Sequence, residues 1–232
     1  GFETQKIFEV YGEFGAGKTQ LGLTIAVNTQ LPKDQGGANG KTVFIDTEGS
    51  FSVERVKQIA QDQEIAEEIL KNIIILKPTN FIEQKKSFFN MLKELKQSEN
   101  IGLIIVDSIT MLYRLELAEA RKKDLDAVRD INSDLANQVK ALHEIARKRN
   151  IPVLITAQVY QDFLSEEEWL QGKEPGVNLV GGDILKYWSK CLIELQNKNQ
   201  KKKAIIRKHR SLPEKELNFE IVNEGIRKRG WL

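Results

Sequence analysis

The sequence predicts a doubly wound α/β fold with a mostly parallel central sheet flanked by helices and an antiparallel C-terminal extension. Three observations carry this. Short apolar runs alternate with segments of helical period along the first two thirds of the chain. The runs are continuously apolar rather than alternating, as strands covered on both faces are. Past Leu185 the runs follow one another without helices between them.

The elements follow in order. Ile7–Tyr11 reads as a strand ending at Gly12, and Lys18–Thr29 as a helix with Leu21, Ile25 and Val27 among its apolar positions. Pro32 and Gly36-Gly37 mark a surface loop. Thr42–Ile45 is a strand ending at Asp46, with a helix from about Val53. Ile73–Leu76 is a third strand, closed by Pro78. Phe81–Lys96 has helical spacing through Ile82, Phe88, Phe89, Leu92 and Leu95. Leu103–Val106 is a fourth strand ending at Asp107. A long helix covers about Asp124–Arg149, with Leu135, Val139, Leu142 and Ile145 on one stripe, and Val153–Thr156 is a fifth strand. Leu192–Leu195, Ala204–Ile206 and Phe219–Val222 form the antiparallel extension.

The 232 residues suit one domain, 1–232, with no internal repeat. With 35 basic against 33 acidic side chains, bulk charge does not mark a nucleic-acid binder, and a local basic face has to carry any such role. No apolar run reaches the length of a membrane span, and no signal peptide is visible. One cysteine, Cys191, excludes an internal disulfide and fits a reducing, cytoplasmic setting; it reads as a buried small residue.

Gly12-Glu13-Phe14-Gly15-Ala16-Gly17-Lys18-Thr19 matches G-x-x-x-x-G-K-[ST] between a strand and a helix. Glycines there let backbone N–H groups converge on an anion, and the helix start adds its dipole. The motif predicts binding of ATP, with Lys18 on the β- and γ-phosphates and the Thr19 hydroxyl on Mg²⁺; Gln20 continues the binding segment. Asp107 at a strand end faces the crevice above the sheet, where it can hold Mg²⁺ through water. Glu48, just past the second strand, is placed to take a proton from water, and Gln158, after the fifth, to sense the γ-phosphate. The same positions also suit a helix cap for Asp107 and loop polar residues for Glu48 and Gln158.

Several segments together are distinctive: Tyr11–Leu21, Phe44–Arg55, Ile105–Arg114, Thr156–Val159 and Gly181–Leu185. They resemble the RecA-like archaeal recombinases RadA and RadB, over nearly the whole chain. Leu76–Gln84 and Lys208-His209-Arg210 look more like RadB, and Gly1–Gln5 more like RadA. The resemblance implies a RecA-type P-loop ATPase core without the N-terminal helical domain of RadA. It implies Glu48 as the water-activating carboxylate, Gln158 as the γ-phosphate sensor, Arg55 against the adenine, and Lys208 and Arg210 reaching a neighbour's ATP. It implies DNA-contacting loops at about Leu115–Asp124 and Tyr160–Gly182, and, as partners, single- and double-stranded DNA with further copies of the chain or a main recombinase.

Arg114, Arg121, Lys122, Lys123 and Arg129 are the candidate DNA contacts, since phosphates require such charges. The second segment opposes DNA, with Asp162, Glu166, Glu167, Glu168 and Glu174 against Lys173; Trp169 among them reads as a packing or partner contact. Lys198, Lys201, Lys202 and Lys203 read as a soluble hairpin tip, and Arg227-Lys228-Arg229 as a disordered or lattice-bound tail. Three functions follow: a weak DNA-dependent ATPase of recombination and repair, an ATP-binding mediator docking on the main recombinase, and a KaiC-like signalling ATPase.

Overall fold

Strand β1 (Ile7–Gly12) lies in the middle of the sheet, buried along its length apart from a half-exposed Tyr11. The computed structural model describes residues 2–97, 100–161, 171, 177–198 and 201–230. After β1 come α1 (Lys18–Asn28), β2 (Lys41–Asp46), α2 (Val53–Ala60), α3 (Gln63–Lys71), β3 (Ile73–Leu76), α4 (Phe81–Gln97) and β4 (Ile101–Asp107). Then follow α5 (Met111–Lys123), α6 (Leu125–Arg149), β5 (Val153–Gln161), β6 (Val177–Leu179) and α7 (Gly182–Trp188). The chain ends in β7 (Cys191–Lys198), β8 (Lys201–Lys208), β9 (Lys215–Val222) and β10 (Gly225–Lys228).

The strand order is β10-β9-β8-β7-β1-β5-β4-β2-β3, with β6 paired to β5. All pairings from β7 through β1 to β3 are parallel. Antiparallel pairing begins at β8. The antiparallel extension is thus β8, β9 and β10, whereas Leu192–Leu195, expected in it, belongs to β7, which returns through α7 as a crossover and lies parallel to β1. A layer with α4, α5, α6 and α7 covers one face, around Ile104, Val106, Leu135, Leu142 and Ile155. On the other face Phe44, Ile105, Leu23 and Val56 meet α1 and α2, together with Phe219 of β9. Both faces are apolar, which accounts for strands without alternation.

The single helix expected from about Val53 is two, α2 and α3: Ser52 caps α2 and Asp62 caps α3, each accepting an N–H three residues on. On α4, Phe88 and Leu95 are buried but Ile82 and Phe89 are exposed, so the apolar positions there do not form one buried stripe.

Three expectations are corrected. Leu115–Asp124 is helix, not loop: it belongs to α5, whose sequence MLYRLELAEARKK holds strong helix formers and no Gly or Pro. Its Leu112, Tyr113 and Ala120 are buried, and Asp124 ends it while capping α6. Arg227-Lys228-Arg229 is not a loose tail: Arg227 and Lys228 pair in β10 with β9, and Arg227 Nε bonds Glu220 Oε1 at 2.7 Å. The lysines 201–203 likewise belong to β8 rather than to a hairpin tip. The second expected DNA segment, with Asp162, Glu166, Glu167, Glu168, Trp169, Lys173 and Glu174, lies outside the described residues.

Candidate nucleotide site

The loop between β1 and α1 is Glu13–Gly17, and Gly17 precedes the first helical residue. Gly12 must lack a side chain: a Cβ there would stand 2.2 Å from Leu195 O of β7. The loop can therefore turn sharply while β1 stays paired on both sides. Gly17 rests on Phe219 and Ile221 of β9, and Lys202 of β8 donates to Gly15 O at 2.7 Å. Lys18 is buried, with Nζ donating to Gly12 O at 2.8 Å and Glu13 O at 3.0 Å. Burial lowers its pKa, and the Glu48 and Asp107 charges oppose that. Phe14 projects from the loop, 98% exposed.

The carboxyl ends of β2, β4 and β5 bring the other polar groups to this loop. Asp107 is 1% exposed and accepts from Thr19 Oγ1 at 2.7 Å, Ser50 Oγ at 3.2 Å and Thr156 Oγ1. A hydroxyl on the phosphate-loop helix thus shares one carboxylate with two others, an oxygen set suited to a hard oxygen-seeking cation. Among the described residues no three acids or imidazoles cluster as a metal cage. Mg²⁺ fits regardless, since it takes one or two carboxylates and completes its shell with substrate phosphates and water. Thr19 and Asp107 are the residues that would hold it.

Asp46 is paired in register with Asp107. It accepts from Ser50 N at 3.0 Å and Phe51 N at 3.1 Å, shaping the loop that carries Glu48. Phe51 closes the loop against Phe44, ring centroids 5.2 Å apart. Glu48 Oε1 accepts from Gln158 Nε2 at 2.7 Å. Desolvation in the cleft raises the Glu48 pKa and the Asp107 charge adds to this, while Gln158 and Lys18 act against it. The Asp107–Ser108 peptide is cis. Ser108 N donates to Thr47 Oγ1 at 2.9 Å, and that hydroxyl donates to Ser108 O at 2.7 Å. Gln158 N reaches Thr110 Oγ1 at 3.3 Å.

The structure therefore brings Lys18, Thr19, Asp107, Glu48 and Gln158 together. Arg55 is a hub nearby: Nε bonds Gln20 Oε1 at 2.6 Å, and its other nitrogens bond Gln58 Oε1, Val222 O and Asn223 O. It ties α2 to α1 and to the β9–β10 turn. Lys208 is elsewhere, donating to Lys186 O at 3.0 Å and Ser189 O at 3.1 Å at the end of α7. Arg210 is exposed beyond β8. Arg114, Arg121, Lys122, Lys123 and Arg129 are all exposed, Arg114 on the first turn of α5 and the other four about the α5–α6 corner. Lys122 pairs with Glu119 at 2.6 Å and Arg129 with Asp126 at 3.0 Å, so part of this charge is met locally. Sequence reasoning missed Asp46, Thr47, Ser50, Ser108, Thr110 and Thr156. Only Asp46 left a trace, an acid closing an apolar strand as Asp107 does. Among the described residues no helix is long and apolar enough to cross a membrane.

The Rad51 family model matches residues 1–229. The DNA repair and recombination protein RadB of Methanococcus maripaludis (strain C7) is 38% identical over 226 residues, 97% of this chain and 92% of that protein. RadB of Methanocaldococcus jannaschii is 37% identical over 220 residues, covering 95% and 92% of the two chains. RadB of Methanococcoides burtonii is 38% identical over 231 residues, covering 98% and 91%.

Proposed function

We propose, from the premise that this chain belongs to the Rad51 family, that it is an ATP-dependent DNA-binding protein of homologous recombination and repair, working in the cytoplasm as a weak DNA-dependent ATPase. We read the whole chain, 1–232, as one RecA-like ATPase domain. One observation carries the ATPase reading. Two 2.7 Å contacts, Thr19 to Asp107 and Gln158 to Glu48, unite the phosphate loop, the acidic strand end and a candidate base at one rim of the sheet.

The loop N–H groups and Lys18 bind the β- and γ-phosphates, Lys18 exchanging its two carbonyl acceptors for phosphate oxygens. Mg²⁺, held by Thr19 and Asp107, supplies positive charge against those oxygens when bound. Glu48 takes a proton from a water in line with the γ-phosphorus. The water oxygen bonds to phosphorus, the bond to the bridging oxygen breaks, and ADP leaves with that electron pair. Gln158 orients against the γ-phosphate, and Arg55 lines the adenine side. Lys208 and Arg210 complete the site of a neighbouring copy. Arg114, Arg121, Lys122, Lys123 and Arg129 meet the phosphates of single- and double-stranded DNA.

The test is steady-state hydrolysis with and without single-stranded DNA. Lys18→Ala is expected to abolish turnover and weaken nucleotide binding at least tenfold, the scale of a lost charge-assisted contact. Turnover that survives in Lys18→Ala refutes the reading. The local pairing of Lys122 and Arg129 with acids favours a second reading, an ATP-binding mediator that docks on the main recombinase with little hydrolysis. Co-elution with that recombinase only in ATP, without DNA-stimulated turnover, selects it.

A further inference from the structure

Two buried amides stand behind the nucleotide site. Gln84, on the first turn of α4, has no exposed surface, and Gln138, on α6, is 4% exposed. Gln84 Nε2 donates to Gln138 Oε1 at 2.8 Å and to Ile109 O at 3.3 Å. Gln84 Oε1 and Gln138 Nε2 have no hydrogen-bond partner among the described residues. Leucine at both positions would suit the surrounding apolar cluster and remove the two unpaired amide atoms. An amide pair that is incompletely satisfied in such a place calls for a role other than packing.

The place is informative. Ile109 lies in the turn that leaves Asp107 and enters α5. Its sheet side is fixed by Ile109 N to Thr156 O at 3.0 Å and by the reciprocal Thr47–Ser108 bonds. Its helix side is held at Ile109 O by Gln84. The next residue, Thr110, receives Gln158 N. Helix α6 is capped by Asp124, directly after the basic Arg121–Lys123 run, and its Leu135 packs at Gly181, where α7 begins. So α6 borders the basic corner and the α7 turn, and through Gln138 it also reaches the turn that carries Asp107.

We propose that Gln84 and Gln138 are positioning residues for nucleotide hydrolysis: together they fix the Ile109 carbonyl, hold Asp107 and Thr110 in register with the phosphate loop, and join that turn to helix α6. This rests on the ATPase reading given above. The pair touches neither nucleotide nor metal, and acts through the turn it anchors. A turn released on one side shifts its carboxylate by a fraction of an ångström, and misplacement on that scale lowers turnover much more than binding.

The experiment compares the full chain with Gln84→Leu, Gln138→Leu and the double variant. Steady-state hydrolysis is measured against ATP and Mg²⁺, and amide exchange by mass spectrometry over residues 107–113 without nucleotide. In Gln84→Leu, kcat is expected to fall about tenfold with KM for ATP within about twofold, and the Mg²⁺ half-saturation to rise several-fold. Exchange over 107–113 is expected to quicken. The double variant should be no worse than Gln84→Leu, because Gln138 acts through Gln84. Gln138→Leu keeps the Ile109 bond and should move each quantity less, in the same direction; it carries the test if Gln84→Leu does not fold. Unchanged exchange in a folded variant overturns the proposal whether or not the protein hydrolyses ATP. So does wild-type kcat together with wild-type Mg²⁺ dependence. A wild-type chain without turnover, or turnover surviving Lys18→Ala, counts against the ATPase reading and leaves the exchange result to decide this one.

Discussion

Replacing Glu9 by glutamine removes a carboxylate from the middle of β1, where the side chain has no exposed surface. Neither oxygen has a hydrogen-bond partner among the described residues. Burial pushes the Glu9 pKa from its ordinary 4.5 up to about 7; the nearby Ser189 hydroxyl and the Lys186 and Lys208 ammoniums pull the other way without cancelling it. Ser189 lies close enough to act on the charge without completing a bond of good geometry. Between those two pH values the unfolded chain has released the proton and the folded chain retains it. Stability therefore falls as pH rises through this window, and the loss is complete above about 7. At about 1.4 kcal/mol per pH unit the ionised carboxylate destabilises the fold by on the order of 3 kcal/mol at pH 8 and by less than about 1 kcal/mol at pH 5. The neutral amide keeps the shape but buries its own donors, so the expected gain at pH 8 is roughly 1–3 kcal/mol. For a chain of this size that raises Tm by several degrees, at about 2–4 °C per kcal/mol. Thermal melts of the two proteins at pH 5 and pH 8 measure it. Equal melting at pH 8, or the same gap at both pH values, would show that Glu9 is not held as a buried proton-binding acid.

Glu48→Gln is expected to lower kcat by about 10²–10⁴ while leaving nucleotide binding within a few-fold, the range for loss of a general base. Because cleft desolvation raises the Glu48 pKa, the wild-type rate should rise with pH along a limb displaced above the usual carboxylate range. That limb should be absent in Glu48→Gln, and its persistence would assign it to another group. Gly225→Ala tests the seat of the C-terminal ribbon. Gly225 has φ 112°, and a Cβ would stand 2.8 Å from the Thr24 side chain of α1. A loss of about 1–3 kcal/mol in a denaturant melt is expected, and no loss would mean that the β9–β10 turn is not held against α1 as described.

The phosphate loop was legible because its constraint is local: glycines, a lysine and a hydroxyl residue at fixed spacing, between a strand and a helix. Asp107 was legible only beside that loop, since an acid closing a buried strand is by itself equally suited to cap a helix. Asp46 has the same sequence signature and a different role, and that role exists only through its bonds to Ser50 N and Phe51 N. The hydroxyls of Thr47, Ser108, Thr110 and Thr156 are ordinary in sequence and acquire meaning from strand ends brought side by side. Gln84 and Gln138, 54 positions apart, leave no local pattern at all. The misreading of Leu115–Asp124 had the opposite cause. The resemblance suggested a loop where the composition, Leu-Glu-Leu-Ala-Glu-Ala-Arg-Lys-Lys, already favoured helix. Parallel pairing of β7 was obscured because α7 is only seven residues long, too short to register as a crossover helix.

One contact in the site binds two functions to a single side chain. The Gln158 amide donates to Glu48 Oε1, and that bond favours the charged carboxylate, working against the desolvation that raises its pKa. Any acceptor that draws the amide away removes this stabilisation and strengthens Glu48 as a base. Gln158 is also held through its backbone, with N on Thr110 Oγ1 and O receiving Val180 N. A rotation of the side chain can therefore proceed while β5 stays fixed between β1 and β4. The next residue, Val159, pairs with Leu179 of β6, two residues before the turn that starts α7. The base strength of Glu48 and the orientation of Gln158 are consequently one variable. They meet at the point where the central sheet hands over to the segment leading into α7, so a group that engages the amide acts on proton affinity first and on the strand edge second.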